Sequence, residues 1–366
     1  MQRQAARSPK LSDHSANEWN TVLNSRSRTS ALLAAGLASL LLLSGCASNG
    51  AAAEQETSAA LLPQAEGSTE YPLTLDTPYG DTVLEERPER IAIITASTVD
   101  TDALLALGGT PVFAPTTVER NTWLNDADLE KIEVLWESEA GAEASAEAVA
   151  AADPDLIVNL YAYETFDQAQ YDKLSSVAPI LYAPADELTW QELTQLLGDT
   201  LDLGQTATEA IDAAENAVAD IRSAHPEFEG KTATQVMVYP EEYGASYNTA
   251  PGFQAAPVFE DLGFVIPEVA EQFIVDDLIS NELIGLIDSD FVLVSLGSAD
   301  PADTNYFSES PLLKALPAYV DGRVVIDPAD PETGINDLSW GINVPSAISV
   351  PWVSERIAEL GAEALS

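Results

Sequence analysis

Residues 145–158 read SAEAVAAADPDLIV, and residues 280–293 read SNELIGLIDSDFVL. Four positions coincide at a constant offset of 135: Ser145 with Ser280, Glu147 with Glu282, Asp153 with Asp288 and Asp155 with Asp290. Each copy starts like a capped helical turn and ends in a continuous apolar run, the pattern of a helix delivering the chain into a buried strand. Leu107-Gly108 and Leu262-Gly263 add a second matched pair, each with glycine placed to stop a helix. A supersecondary unit used twice predicts two α/β lobes.

Outward from these copies, short apolar runs alternate with helical patterns. Ile91-Ala92-Ile93-Ile94, Pro111-Val112-Phe113, Leu156-Ile157-Val158 and Ile180-Leu181-Tyr182 form one series. Gln235 to Tyr239, Phe291 to Val294 and Arg323 to Ile326 form the second. Strands without a polar face belong to mostly parallel sheets covered on both sides by helices. Between the series, Ala207, Ala210, Ile211, Ala214, Val218 and Ile221 recur every three or four residues, behind a capping-box spacing at Thr206 and Glu209. This is a single amphipathic helix, residues 204–225, about 30 Å long. The expected architecture is α/β: two Rossmann-like lobes, residues 71–203 and 226–366, with mostly parallel sheets joined by one long α-helix.

The N-terminus carries an address. Arg3, Arg7, Lys10, Arg26 and Arg28 precede the uncharged run ALLAAGLASLLLL at residues 31–43. Thirteen residues rise only about 20 Å as a helix, short of the ~30 Å hydrocarbon core, so residues 1–45 read as an export signal. Leu43-Ser44-Gly45-Cys46 follows and resembles the bacterial lipobox, in which the cysteine thiol takes a diacylglyceryl group. The chain's one cysteine then has a use, lipidation. Residues 46–70, rich in Ala, Ser, Glu, Gln and Gly, read as a flexible tether.

Composition removes several functions. The chain has 366 residues, 60 acidic against 15 basic, and a formal net charge of -45. Nucleic-acid binding needs clustered Lys and Arg, so it is excluded as a partner class. One cysteine permits no internal disulfide, and two histidines cannot build a multi-histidine zinc site. No GxSxG elbow is present, Ser295-Leu296-Gly297-Ser298-Ala299 being out of pattern, and His225 precedes Pro226 at the end of the linking helix. The expectation is a non-enzyme without a resident cofactor, monomeric by default.

Several pieces occur in an order that is itself informative. They are Arg87-Pro88-Glu89-Arg90-Ile91, Asp102 to Gly108, Asp153-Pro154-Asp155-Leu156-Ile157, Lys173-Leu174 through Ala178-Pro179, Ser280-Asn281-Glu282-Leu283 and Asp321-Gly322-Arg323-Val324. With the lipobox and linking helix, the chain from Tyr71 to Ser366 resembles the class III solute-binding lipoproteins of ABC importers, the ferric-siderophore and cobalamin type. The resemblance implies a ligand cleft between the lobes, limited closure about a stiff helix, and no catalysis. It also implies delivery to a permease with its ATPase, at the outer face of the cytoplasmic membrane. Glu147 and Glu282 fall where this family places one surface carboxylate per lobe to meet permease arginines; each also sits in a first helical turn, where an acid favours the macrodipole.

Ligands of such sheets lie outside the carboxyl ends of the strands. There the sequence places Thr95, Ser97, Trp123, Tyr161 and Tyr163 in the first lobe, and Tyr239, Tyr243, Tyr247 and Trp340 in the second. Aromatic rings offer a bulky chelate wide contact at low entropic cost, and hydroxyls bond its oxygens; each ring has packing as its alternative use. Trp136, Trp190 and Trp352 are assigned to packing. Only ten basic residues remain beyond Cys46, and Arg120 is the one among the aromatic loops. The expected ligand is therefore a neutral or cationic ferric hydroxamate, with iron present only inside it. Haem, cobalamin and a non-transport surface module are the alternatives.

Overall fold

The computed structural model describes residues 60–138, 142–162, 167–185, 187–273 and 278–366. Cys46, the export signal and the first part of the tether lie outside them. After the hairpin of β1 (Leu73–Leu75) and β2 (Thr82–Leu84), the first lobe alternates strand and helix. Its order is β3 (Ile91–Ile93), α1 (Val99–Ala106), β4 (Phe113–Pro115), α2 (Asp126–Leu129), β5 (Val134–Trp136), α3 (Ala146–Ala151), β6 (Leu156–Ala162), α4 (Gln168–Ser175), β7 (Ile180–Pro184) and α5 (Trp190–Thr200). All five strands β5-β4-β3-β6-β7 are parallel, in that spatial order. Each residue of β3 and β6 is buried, which is why β3 and the first half of β6, Leu156-Ile157-Val158, read as apolar runs.

The helix α6 (Gly204–Ala224) follows, burying Ala207, Ala214 and Val218 along one side. The second lobe contains β8 (Ala233–Val238), β9 (Ala245–Tyr247), α7 (Ala255–Asp261), β10 (Phe291–Leu296), α8 (Pro301–Ser308), α9 (Pro311–Lys314), α10 (Pro317–Val320), β11 (Val324–Asp327), α11 (Asp337–Asn343) and α12 (Ser349–Ala364). Its sheet order is β11-β10-β8-β9, parallel except for the antiparallel edge strand β9. Apolar clusters cover the faces of each sheet, and Val344, from the segment between α11 and α12, belongs to a cluster of the first lobe. The lobes thus meet away from α6 as well, and Leu61–Ser366 form one compact unit.

The 135-residue repeat has a structural meaning. Asp155 accepts the backbone N–H groups of Glu89 and Arg90, both at 2.8 Å, just before β3. Its counterpart Asp290 accepts the N–H of Thr232 at 3.0 Å, just before β8. Each carboxylate fixes the entry of its lobe's first strand. Gly108 (φ +77°) and Gly263 (φ +98°) both end helices in the left-handed region, as expected. The helical turns diverge: residues 146–151 are α-helix capped by Ser145, whereas Asn281–Ile287 form 3-10 turns without a side-chain cap.

Two expectations need correction. Thr206 and Glu209 form no capping box, because α6 starts two residues earlier and Glu66 caps it from outside. The Glu66 carboxylate accepts the N–H groups of Gln205 and Thr206 at 2.8 Å and the Thr206 hydroxyl at 2.7 Å. The last part of the supposed tether is therefore built into the lobe. Asp202, at φ +54°, accepts the N–H groups of Gly67, Ser68 and Thr69 at 2.7 to 2.9 Å. Burial would raise its pKa, but the N–H groups of Thr69, Gly67 and Ser68 and the Ser68 hydroxyl outweigh that and hold it at about 2. Leu62 is buried in the same core. Composition could not show this, because the clasp rests on backbone donors rather than apolar bulk.

Candidate functional site

The strand order sets β3 and β6 side by side, so the chain leaves both at the same edge. A cavity of 380 Å³ opens there, lined by residues of the first lobe alone, among them Thr95, Ser97, Asn159, Tyr161, Glu147 and Lys173. The hydroxyl of Thr95 donates to Asp100 Oδ2 and lies 3.0 Å from Asn159 Oδ1. Asp100 Oδ2 also accepts the Leu160 N–H at 2.8 Å, tying α1 to β6. Thr95, Ser97 and Tyr161, expected at the ligand from sequence, are thus gathered on one wall. Glu147, exposed in the first turn of α3 behind the Ser145 cap, stands at the rim. Asn159, Lys173 and Gln170 were not expected at the ligand from the sequence; β6 and the α4 that follows it bring them here.

A second polar cluster joins the lobes. Asp102, in the first turn of α1, is completely buried and accepts three hydrogen bonds. The Trp123 indole N–H donates to Oδ2 at 2.8 Å, Ser346 Oγ to the same oxygen at 3.0 Å, and Asn121 Nδ2 to Oδ1 at 3.0 Å. The Trp340 indole N–H in turn donates to Asn121 Oδ1 at 3.0 Å. Trp123 and Trp340, expected to face ligand, have their N–H groups engaged at this junction, and the Trp123 ring lies 5.5 Å from that of Trp352. An indole half-buried on apolar surface satisfies its donor with whatever acceptor the fold supplies.

Burial dominates the electrostatics of α1. It pushes Asp102 up to about 7 against the opposing bonds from Trp123, Ser346 and Asn121. It pushes Asp100 up to about 6 against Thr95 and the N–H groups of Leu160 and Tyr161. Asp100 Oδ1 and the hydroxyls of Thr98 and Thr101 are buried without a hydrogen-bond partner among the described residues. Both acids lie in the first turn of α1, where nothing in the sequence VDTDALLA signals that they are enclosed.

In the second lobe, Tyr239 and Tyr243 stand exposed at the turn between β8 and β9. Tyr247 does not join them. It is fully buried, stacked on Phe273 with centroids 4.8 Å apart, its hydroxyl 2.9 Å from Thr234 Oγ1. Its place in the short edge strand β9 turns it into the core, which corrects the expectation of a ligand-facing ring. Glu282 is exposed in the 3-10 turns before β10. Tyr163 lies outside the described residues. Among the described residues no helix is long and apolar enough to cross a membrane, and no group of His, Cys, Asp and Glu could hold a metal ion.

Comparison with known proteins bears on this geometry. The chain is similar to the ferric enterobactin-binding periplasmic protein FepB of Escherichia coli O6:H1, at 25% identity over 78% of this chain and 89% of that one. It is 27% identical to the probable siderophore-binding lipoprotein YfiY of Bacillus subtilis, over 50% of this chain and 53% of that one. Its fold matches the crystal structure of Streptococcus pneumoniae TIGR4 PiaA in complex with ferrichrome, with a TM-score of 0.60 and 24% identity over 80% of this chain and 98% of that one. Two mostly parallel sheets, a long helix between them and a cavity at the strand ends of the first fit a single family. With its family model matched from residue 91 to residue 331, the chain belongs to the periplasmic binding proteins.

Proposed function

We propose that this protein captures a ferric siderophore outside the cytoplasmic membrane and delivers it to the permease and ATPase of an ABC importer, with no chemical step of its own. The observation that carries the reading is the cavity at the strand ends of the first lobe, whose Thr95, Ser97, Asn159 and Tyr161 supply polar groups beside an aromatic ring. The likeness to FepB across most of both chains supports the same ligand class. In this reading the exposed rings of Tyr239 and Tyr243 are the second lobe's contribution to ligand contact.

Within that class, a neutral or cationic ferric hydroxamate fits best. The five basic and two acidic residues before Cys46 leave 10 basic against 58 acidic beyond it, which repels polyanions at long range. In this reading Cys46 carries the lipid and holds the protein at the outer face of the membrane. Glu147 and Glu282 engage the permease, one from each half of the repeat.

The test is a tryptophan-fluorescence titration of the purified protein with a ferric hydroxamate, beside iron-free ligand, ferric catecholate, haem and cobalamin. Saturable quenching at micromolar or tighter, about -8 kcal/mol or better, is expected for the ferric hydroxamate. Saturation by haem or cobalamin alone would replace the ligand, and silence throughout would remove the transport reading.

A further inference from the structure

The chain is poor in cations, and nearly all of those among the described residues are committed. Arg87 donates to the carbonyls of Leu201 and Pro63. Arg90, Lys131, Arg222, Lys231, Lys314, Arg323 and Arg356 each pair with a carboxylate, and Arg120 is engaged as well. Lys173 differs. It makes no ion pair and no side-chain hydrogen bond among the described residues, and it lines the cavity described above. Glu143 and Glu147 line the same cavity, yet neither forms an ion pair with it. In a protein of net charge -45, an ammonium facing a cavity with carboxylates nearby and no ion pair is an exception.

The groups around it explain what that ammonium can do. Thr95 already gives its one proton to Asp100, and the Gln170 amide donates to Glu143. The strongest uncommitted donor in the cavity is therefore the Lys173 ammonium, which has three N–H bonds and no acceptor capacity. Its complement is an oxygen bearing negative charge.

We infer that Lys173 binds the iron-bound oxygens of the ligand and is the residue by which the site tells a ferric hydroxamate from the iron-free molecule. The inference rests on the siderophore reading above. A free hydroxamic acid keeps its N–OH proton near neutral pH and presents a donor there. Iron replaces that proton, so the same oxygens become charge-bearing acceptors while the chelate as a whole stays neutral. The ammonium can bond the carbonyl oxygen of either form, but only in the loaded form do all the chelating oxygens lack a proton and share negative charge, so the charge-assisted hydrogen bond is stronger there. Such a chelate escapes long-range repulsion by the acidic surface and still finds a cation where its oxygens dock.

Titrating the purified protein with ferrichrome and with iron-free ferrichrome, in wild type, Lys173→Met and Lys173→Arg, tests this. Lys173→Met is expected to weaken ferrichrome binding about tenfold and the iron-free ligand by less, so that the ratio of ferric to iron-free affinity falls. Lys173→Arg should restore both, and the thermal midpoints of all three should coincide because the side chain is exposed. Equal weakening of the two ligand forms would assign Lys173 a shaping role and overturn the inference, as would unchanged ferrichrome affinity in Lys173→Met. A wild type that binds no ferric chelate would remove the siderophore reading and this assignment with it.

Discussion

Asp102 shows how much one residue can be asked to do. Three donors from two lobes converge on a completely buried carboxylate, yet burial still pushes its pKa from an ordinary value of 3.8 to about 7. A raised carboxylate pKa means that the folded state holds the proton more tightly than the unfolded chain does. Its contribution to stability is therefore present at low pH and is lost as pH rises from about 4 to about 7. Asp100, raised to about 6, adds a loss of the same sign. The loss from Asp102 is on the order of a few kcal/mol. Thermal midpoints recorded from pH 4 to pH 8 should show Asp102→Asn losing less stability over that interval than wild type. A parallel pair of profiles would place the ionisation elsewhere. Asp202 has the opposite sign, its stabilisation being lost as pH falls from about 4 to about 2.

Among the elements, α5 and α6 depend on a missing side chain. A Cβ at Gly198 would lie 2.5 Å from Ala207 Cβ and 3.0 Å from the Leu203 carbonyl oxygen, neither of which can rotate away. Gly198→Ala is expected to cost about 1–3 kcal/mol by overpacking, read as a lower denaturant midpoint with the slope unchanged; an unchanged midpoint would show that the helices slide apart freely. The elements were also where sequence was most informative. Strands buried on both faces must read as apolar runs, so β3, β6, β8 and β10 were legible, and the repeated Asp155 and Asp290 marked equivalent turns. The strands β5 and β9 were not, because three residues at a sheet edge carry no period. The cavity was hidden for another reason. Thr95 is far in the chain from Asn159 and Lys173 and meets them only through the order β5-β4-β3-β6-β7, and Tyr247 and the Trp123 and Trp340 donors have neighbours no local pattern announces.

At the scale of the whole molecule, the proposed function involves two encounters, with a ligand and with a membrane partner, and they make separable demands. Glu282 is exposed in the second lobe and takes no part in the first-lobe cavity. Glu282→Ala should lower siderophore uptake in cells severalfold while leaving the affinity of the purified protein as it was. Normal uptake by that variant, combined with Glu147→Ala, would remove the docking role. The lobes themselves are tied by more than α6, since Ser346 and Trp340 bond to Asp102 and Asn121 across the junction. That junction also brings the Trp123 and Trp352 rings to 5.5 Å at 48°, close and skewed. Two indoles in such an arrangement couple their excited states, and coupled chromophores rotate light as a pair rather than singly. The protein thus carries an optical gauge of its own: circular dichroism in the indole bands is expected to change with any shift at this junction, whether or not an iron chelate is present to quench emission.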